Sequence, residues 1–466
     1  MKLKNLIWLL AFLPQAMSAA WSDSEYLQIE QHIRQPQFAE KEFNILDYKA
    51  NANASAAENQ EAINSAIKAC SEAGGGKVIV SGGTYHTGAI RLMSHVNLVI
   101  EKGATLEFVF DPTLYPIVPT RWEGVDCWNL SPCIYAYQAT DVAITGEGIV
   151  DGGGSQDTWW KWSGVKRFGW TPGDISQAVG RPKLLSMAED GVTLSERKFT
   201  ITDGLRPQLI NFNQCDGVLL ENITLLRSPF WAVHPLLSKN VTLRGVHINN
   251  DAPNGDGCDP ESCDGVLIEN CYFNTGDDCI AIKGGRNNDG RLWDKPSQNI
   301  IVRNCEMQNG HGGVSMGSEI SGGCRNIFIT DCKMDSPNLK RVMRIKSNTC
   351  RGGVIEGINM KNVTVGQCKE SVMEIELNYD QNEKCNRGFF PLIHNVTLEN
   401  VTCEKSEYGL LINALDNAIS VYNINIINCR FNNVTKGNSI EGMVEDLRFN
   451  GYYVNGLPCF AGESGL

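Results

Sequence analysis

Leu220-Glu-Asn222-Ile223-Thr-Leu225 returns, with the same chemistry at each place, as Ile268-Glu-Asn270-Cys271-Tyr-Phe273, Val302-Arg-Asn304-Cys305-Glu-Met307 and Ile329-Thr-Asp331-Cys332-Lys-Met334. Met360-Lys-Asn362-Val363-Thr-Val365, Leu398-Glu-Asn400-Val401-Thr-Cys403 and Ile426-Ile-Asn428-Cys429-Arg-Phe431 continue the series, and Leu243-Arg-Gly245-Val246-His-Ile248 is a variant without the Asn. The seven intervals from Leu220 to Ile426 average about 29 residues, and self-similarity at such a period marks a solenoid, propeller or array. Short β-branched strands with no helical periodicity between them exclude helical repeats. An all-β chain wound as a single-stranded, right-handed parallel β-helix fits best: each coil stacks its strands on the next, Asn forms a ladder at the tight turn, and Cys, Val and Ile form a ladder inside.

Working outward, Ser55-Ala-Ala-Glu58 is a capping-box pattern ahead of an apolar face of Ala57, Ile63, Ala66, Ile67 and Cys70, with Gly74 at the stop. Residues 55–73 are therefore expected to form a helix that caps the open N-terminal end, where strand edges and core would otherwise meet water. Strands are expected at Lys77–Val80, His95–Ile100 and Val142–Ile149. Lys2 and Lys4, an apolar run from Leu6 to Leu13 and the small residues Ser18, Ala19 and Ala20 read as an export signal over residues 1–20, cleaved before Trp21. The expected product is one β-helical catalytic domain over 21–466, a monomer in the periplasm or outside the cell. No later apolar run reaches the ~20 residues needed to span a bilayer. The net charge of −12 argues against nucleic acid or an anionic membrane as partner.

Seventeen cysteines in an exported chain invite a disulfide reading. The repeat explains Cys271, Cys305, Cys332 and Cys429 instead as small buried residues at one stacking position, leaving pairs such as Cys127 with Cys133 as candidates for a bridge. Asn-x-Thr at Asn222, Asn362 and Asn400 falls on the turn ladder, so glycosylation there is a weak reading.

Four short signatures interrupt the repeats: Asn254-Gly-Asp256-Gly, Gly276-Asp277-Asp278-Cys, Gly310-His311-Gly312 and Arg344-Ile-Lys346. Their charged residues stand 9 to 17 residues after the start of their own repeats, so their side chains should leave the same side of successive coils. Neighbouring strands lie about 4.8 Å apart, which brings the three carboxylates within reach of one another. Like charges so close cannot all ionise freely, so one group should hold a proton as a general acid while the others orient water. Glycoside cleavage needs that division of labour. Arg344 and Lys346, two residues apart on one strand face, suit a sugar carboxylate. No metal or organic cofactor is implied. Asp251 and Asp259 are assigned to loop structure.

In this order the signatures resemble the polygalacturonase family, glycoside hydrolase family 28, whose pattern is Asn-Thr-Asp, Asp-Asp, Gly-His-Gly and Arg-Ile-Lys; the resemblance spans most of residues 40–435. It implies the pectin lyase-like β-helix and an inverting hydrolase of α-1,4-galacturonosyl linkages in pectin. It also implies that Asp277 is the general acid, that Asp256 and Asp278 share the water, and that His311 supports the acid. Asn254, Arg344, Lys346 and Tyr379 would then bind substrate. Gly255 departs from the family's usual Thr, which puts only local packing in doubt.

Polar, Gly-containing insertions at 152–203 and 284–298 are expected to close the ends of the cleft, which favours release of single sugars from a chain end, as in bacterial exo-acting members. Six of the ten tryptophans, Trp122, Trp128, Trp159, Trp160, Trp162 and Trp170, fall between residues 121 and 170, where stacking on sugar and packing of a long loop are equal readings. Rhamnogalacturonan or xylogalacturonan hydrolysis within the family, a polysaccharide lyase, and a non-catalytic carbohydrate-binding β-helix remain the alternatives.

Overall fold

A computed structural model describes residues 21–461, so the expected export signal lies outside the described residues. The chain winds as a right-handed parallel β-helix. One face is a 13-stranded sheet, all parallel, running from Glu42–Asn44 through Asp216–Glu221, Lys239–Arg244, Asp264–Glu269 and Ser297–Arg303 to Val444–Asn450. A second sheet takes the strands just after the Asn corner, such as Thr224–Leu226, His247–Asn250 and Tyr272–Thr275. A third runs from Ile90–Leu92 through Val233–Leu236 and, past single bridges at Cys258 and Glu261, to Ile280–Ile282, Leu339–Lys346 and Ser371–Glu376.

The corner between the first two sheets explains the repeat. Asn222, Asn270, Asn304, Asp331, Asn362, Asn400 and Asn428 all adopt the left-handed conformation, with φ from 51° to 59°. Asn and Asp visit it more readily than other residues with a Cβ. Their side chains link rung to rung: Asn400 Nδ2 donates to Asn362 Oδ1 at 3.2 Å. Gly245 takes the same conformation in the variant copy, where a Cβ would come within 2.4 Å of Asn222 Oδ1. A second left-handed ladder at Asn240, Asn299, Asn326, Asn395 and Asn423 lies within the long sheet, each Asn three residues before the first apolar position of its repeat; it was not among the expectations.

Inside the corner, Ile223, Val246, Cys271, Cys305, Cys332, Val363, Val401 and Cys429 are all buried. The four thiols are free, and each donates to the carbonyl two residues earlier on its own strand, Cys271 to Glu269 at 3.3 Å for example. Cys127 and Cys133 are not bridged. Cys133 belongs to the main core, while Cys127 packs in a separate cluster with Trp122, Phe199 and Phe230. Among the described residues the disulfide is Cys350–Cys385.

Helix α1 (Asp23–His32) lies outside the barrel, and Ile29 and Ile33 cover Leu267, Ile301 and Phe328 on the outer face of the long sheet. It was not expected. Helix α2 (Ala56–Glu72) is the N-terminal cap, with both hydrogen bonds of the Ser55/Glu58 capping box formed. Ala57 is exposed rather than on the apolar face. Asn59 is buried in its stead and donates to the carbonyls of Asn51 and His86. The expected strand over Val142–Ile149 is two strands, Thr140–Thr145 and Ile149–Asp151, turned at Gly146 (φ 113°), where a Cβ would meet Ile100 O at 2.1 Å. The two insertions carry α3 (Gln177–Glu189) and α4 (Asn287–Trp293). Trp122, Trp159 and Trp162 are buried in packing contacts, Trp122 stacked on Phe230 at 5.1 Å.

Candidate active site

The four signatures lie on consecutive rungs: the first two occupy turns that lead from the second sheet into the third, Gly310–Gly312 lies within the strand Glu306–Met316, and Arg344–Lys346 ends the strand Leu339–Lys346. Main-chain bonds tie these turns together: Gly257 N donates to Asp278 O at 3.0 Å, Cys279 N to Gly312 O at 2.8 Å, and His311 N to Asp277 O at 2.9 Å. Such close rungs need glycines. A Cβ on Gly276 would stand 2.5 Å from Ala252 O, and one on Gly312 would stand 2.2 Å from Ser315 Oγ and 2.9 Å from Asp278 Oδ1. Gly255 has the same reason: a Cβ there would meet Ala252 O at 2.6 Å, so this turn is drawn tighter than a Thr would allow.

Asp256, Asp277 and Asp278 each bring an oxygen within 4.8 Å of the others. A cation could bridge that spacing, but the Lys346 ammonium already stands 2.7 Å from Asp278 Oδ2. Asp278 is wholly buried, Asp256 nearly so, and the Asp277 carboxyl reaches furthest into the open pocket. His311 Nδ1 lies 2.9 Å from Asp277 Oδ1, so one proton sits between carboxylate and ring.

Burial, with Asp259 and Asp277 close by, holds the Asp256 carboxyl well above the usual range. Burial pushes Asp277 the same way, but the hydrogen bond and charge of His311, with Lys346 and Lys283, outweigh it and hold Asp277 below the usual range. The raised carboxyl is thus Asp256, with burial as the first cause, and not Asp277, the residue that the resemblance makes the acid. The protons belong to the cluster as a whole.

Arg344 and Lys346 flank the inward Ile345 on one strand and face the Tyr379 ring at 5.4 and 5.6 Å. Arg344 gives Nε to Glu374 at 2.8 Å, a buried carboxylate that also takes Arg341. Asn254, with φ of 53°, accepts from Arg206 Nη2 at 2.7 Å. Arg206 is itself buried and anchored on the carbonyls of Pro229 and Pro253.

Asn254, Asp256, Asp277, His311, Arg344, Lys346 and Tyr379 line one cavity of about 240 Å³, with Asp278 directly beneath. Residues missed from sequence complete it: Trp231, Lys283, Glu319, Arg286, Glu123 and Arg181. Lys283 had a signal, because the register Ile282–Met316–Ile345 sets it in the same column as Lys346. Arg181 and Arg286 arrive from the insertions and Glu123 from the hairpin Ile117–Trp122/Val125–Leu130, none of which carries a period, while Trp231 and Glu319 flank strands of the third sheet.

Asp259 lies in irregular chain, as expected, but is fully buried, 3.6 Å from Lys283 Nζ, with neither carboxylate oxygen hydrogen-bonded within the protein. Burial holds its pKa well above the usual range, against the pull of Lys283. The folded protein therefore keeps a proton that the unfolded chain releases near ~3.9, and stability is lost as pH rises above that point. Asp259→Asn is expected to raise the melting temperature relative to the parent by a margin that widens as pH rises from ~4 toward ~7. Calorimetry across that range checks it, and a margin that is flat or shrinks with pH contradicts a protonated Asp259.

A parallel β-helix with three contiguous carboxylates, a histidine and two cations in one cleft suits a carbohydrate-cleaving enzyme. Residues 194–408 match the model of the glycosyl hydrolases family 28. A hyperthermoactive exopolygalacturonase from Thermotoga maritima superimposes with a TM-score of 0.89 at 36% identity, over 94% of this chain and 96% of that one. A Vitis vinifera protein described as "Probable polygalacturonase" is 30% identical over 66% of this chain, which spans 57% of that protein's length. An endo-polygalacturonase of Pectobacterium carotovorum subsp. carotovorum is 27% identical over 75% of this chain and 79% of its own. The chain belongs to glycosyl hydrolases family 28.

Proposed function

We propose that the protein is an exported exo-polygalacturonase, which hydrolyses the terminal α-1,4-galacturonosyl linkage of pectic galacturonan with inversion. The observation that carries this reading is the Asp256–Asp277–Asp278 cluster set beside Arg344 and Lys346 in one small cavity. Asp277, in the pocket and sharing a proton with His311, protonates the glycosidic oxygen. Asp256 and Asp278, more deeply buried, orient the attacking water. The terminal nitrogens of Arg344, which donate no hydrogen bond among the described residues, are open to a sugar carboxylate while Glu374 accepts from Nε and holds the guanidinium in place.

Chain-end action is supported by the insertions: α3 supplies Arg181 and the segment before α4 supplies Arg286 to the pocket wall. The cavity is smaller than the ~300–1,000 Å³ of sites that enclose drug-sized ligands, in keeping with one terminal sugar. The Thermotoga maritima relative is described as exo-acting and the Pectobacterium one as endo-acting, so product length is the deciding measurement. Digestion of polygalacturonate should release monogalacturonate as the first product, in the β-anomeric form by NMR, with slow loss of viscosity. A ladder of oligomers contradicts the exo mode, an α-anomer contradicts inversion, and ultraviolet absorbance from a new double bond contradicts hydrolysis. Turnover on xylogalacturonan or rhamnogalacturonan but not on homogalacturonan contradicts the substrate.

A further inference from the structure

Tyr379 presents its ring to Arg344 Cζ at 5.4 Å and to Lys346 Nζ at 5.6 Å, yet it stands outside the sheet ladder. The strand before it, Ser371–Glu376, has ended, and the next begins only at Leu392. Residues 377–391 have no strand or helix of their own, and such a stretch keeps one shape only where neighbours outside it supply the contacts.

Those contacts come from the turn Ser347–Gly352, which continues the strand of Arg344 and Lys346. Both main-chain groups of Tyr379 are held there: its N–H donates to Ser347 O at 3.2 Å, and its carbonyl accepts from Asn348 Nδ2 at 2.8 Å. Asn348 is 2% exposed. Its side-chain oxygen accepts from the N–H groups of Cys350 at 2.8 Å and Arg351 at 3.1 Å, which leaves the amide nitrogen to face Tyr379. The same turn holds the rest of the loop. Cys350 is bonded to Cys385, Arg351 gives Nη1 to Glu383 Oε1 at 2.7 Å, and Thr349 O accepts from Phe389 N at 3.0 Å.

The face of a tyrosine ring attracts cations, so the place of the Tyr379 ring bears on where Arg344 turns its open terminal nitrogens. Without a clamp the ring would spread over many positions, and substrate binding would have to supply the ordering. A covalent link between Cys350 and Cys385, 35 residues apart in the chain, removes most of those alternatives beforehand. We propose that Asn348 and the Cys350–Cys385 disulfide are positioning elements for substrate binding, which hold Tyr379 over Arg344 and Lys346 while the three catalytic carboxylates stand on other rungs. This rests on the galacturonan reading above, with Arg344 and Tyr379 as substrate contacts.

Steady-state kinetics on polygalacturonate compares the parent with Cys350→Ser/Cys385→Ser and with Asn348→Asp, which keeps an oxygen for the Cys350 and Arg351 N–H groups and loses the donor to Tyr379 O. In each variant KM should rise about tenfold with kcat within about twofold of the parent, the mark of lost binding rather than lost chemistry. In a Tyr379→Ala background, removal of the disulfide should add little to KM, because the residue it positions is gone. A folded disulfide variant with the parent's KM overturns the proposal, as does a fall in kcat at unchanged KM, or an effect that adds in full to that of Tyr379→Ala. Should Cys350→Ser/Cys385→Ser fail to fold, Asn348→Asp is read by the same measures with the same outcomes. A parent inactive on polygalacturonate, or a Tyr379→Ala variant with the parent's KM, overturns the substrate reading itself, and does so with the disulfide intact.

Discussion

Asp277→Asn is expected to lower turnover by about 10²–10⁴-fold while the protein stays folded and still binds galacturonan. An amide cannot give a proton to the glycosidic oxygen, yet it keeps the volume and the hydrogen-bonding reach of the carboxyl. The prediction is sharp because the free protein's electrostatics favour another holder of the proton: Asp256 is the carboxyl held up by burial, and Asp277 is held down by His311. Position argues the other way, since both line the pocket but the Asp277 side chain is 21% exposed and Asp256 is nearly buried. A substrate with an activated leaving group needs little protonation. It should therefore recover turnover in Asp277→Asn and recover none in Asp256→Asn, where water activation is impaired. Steady-state kinetics on both substrates checks this, and recovery in Asp256→Asn alone would transfer the acid role to that residue.

Lys346→Met is expected to cost about 3–5 kcal/mol of stability and most of the turnover. The family resemblance implies substrate binding for Lys346, but its Nζ lies 2.7 Å from Asp278 Oδ2 in a buried pair. The Asp278 Oδ1 atom has no hydrogen bond within the protein, so loss of the lysine leaves a buried carboxylate without its counter-charge. Burial opposes the Lys346 charge, and Asp278 outweighs it, raising its pKa above the usual value. A raised lysine pKa stabilises the fold below the unfolded value of ~10.4 and loses that contribution as pH rises through the folded one, so the variant's deficit should be full at neutral pH. In a double-mutant cycle Lys346→Met/Asp278→Asn should lose less stability than Lys346→Met alone. If instead only KM rises, with melting temperature and kcat unchanged, Lys346 serves the substrate and not Asp278.

Much of this protein can be read along the chain because a β-helix converts distance in sequence into position in space at a nearly constant rate. The Asn corner, the Cys ladder, α2 with its capping box and the gathering of Asp256, Asp277, Asp278, His311, Arg344 and Lys346 on one face all follow from residues whose surroundings repeat, or from local hydrogen bonds. Folding in three dimensions settled the rest. The grip of Lys346 on Asp278 and of Arg206 on Asn254, the burial of Asp259, the docking of α1 on the outer sheet and the meeting of Glu123, Arg181, Arg286 and Glu383 have no period to announce them. Some arise between neighbouring rungs and others where insertions of unequal length arrive from the side, and whether a charge there is buried, paired or free depends on which neighbours close over it.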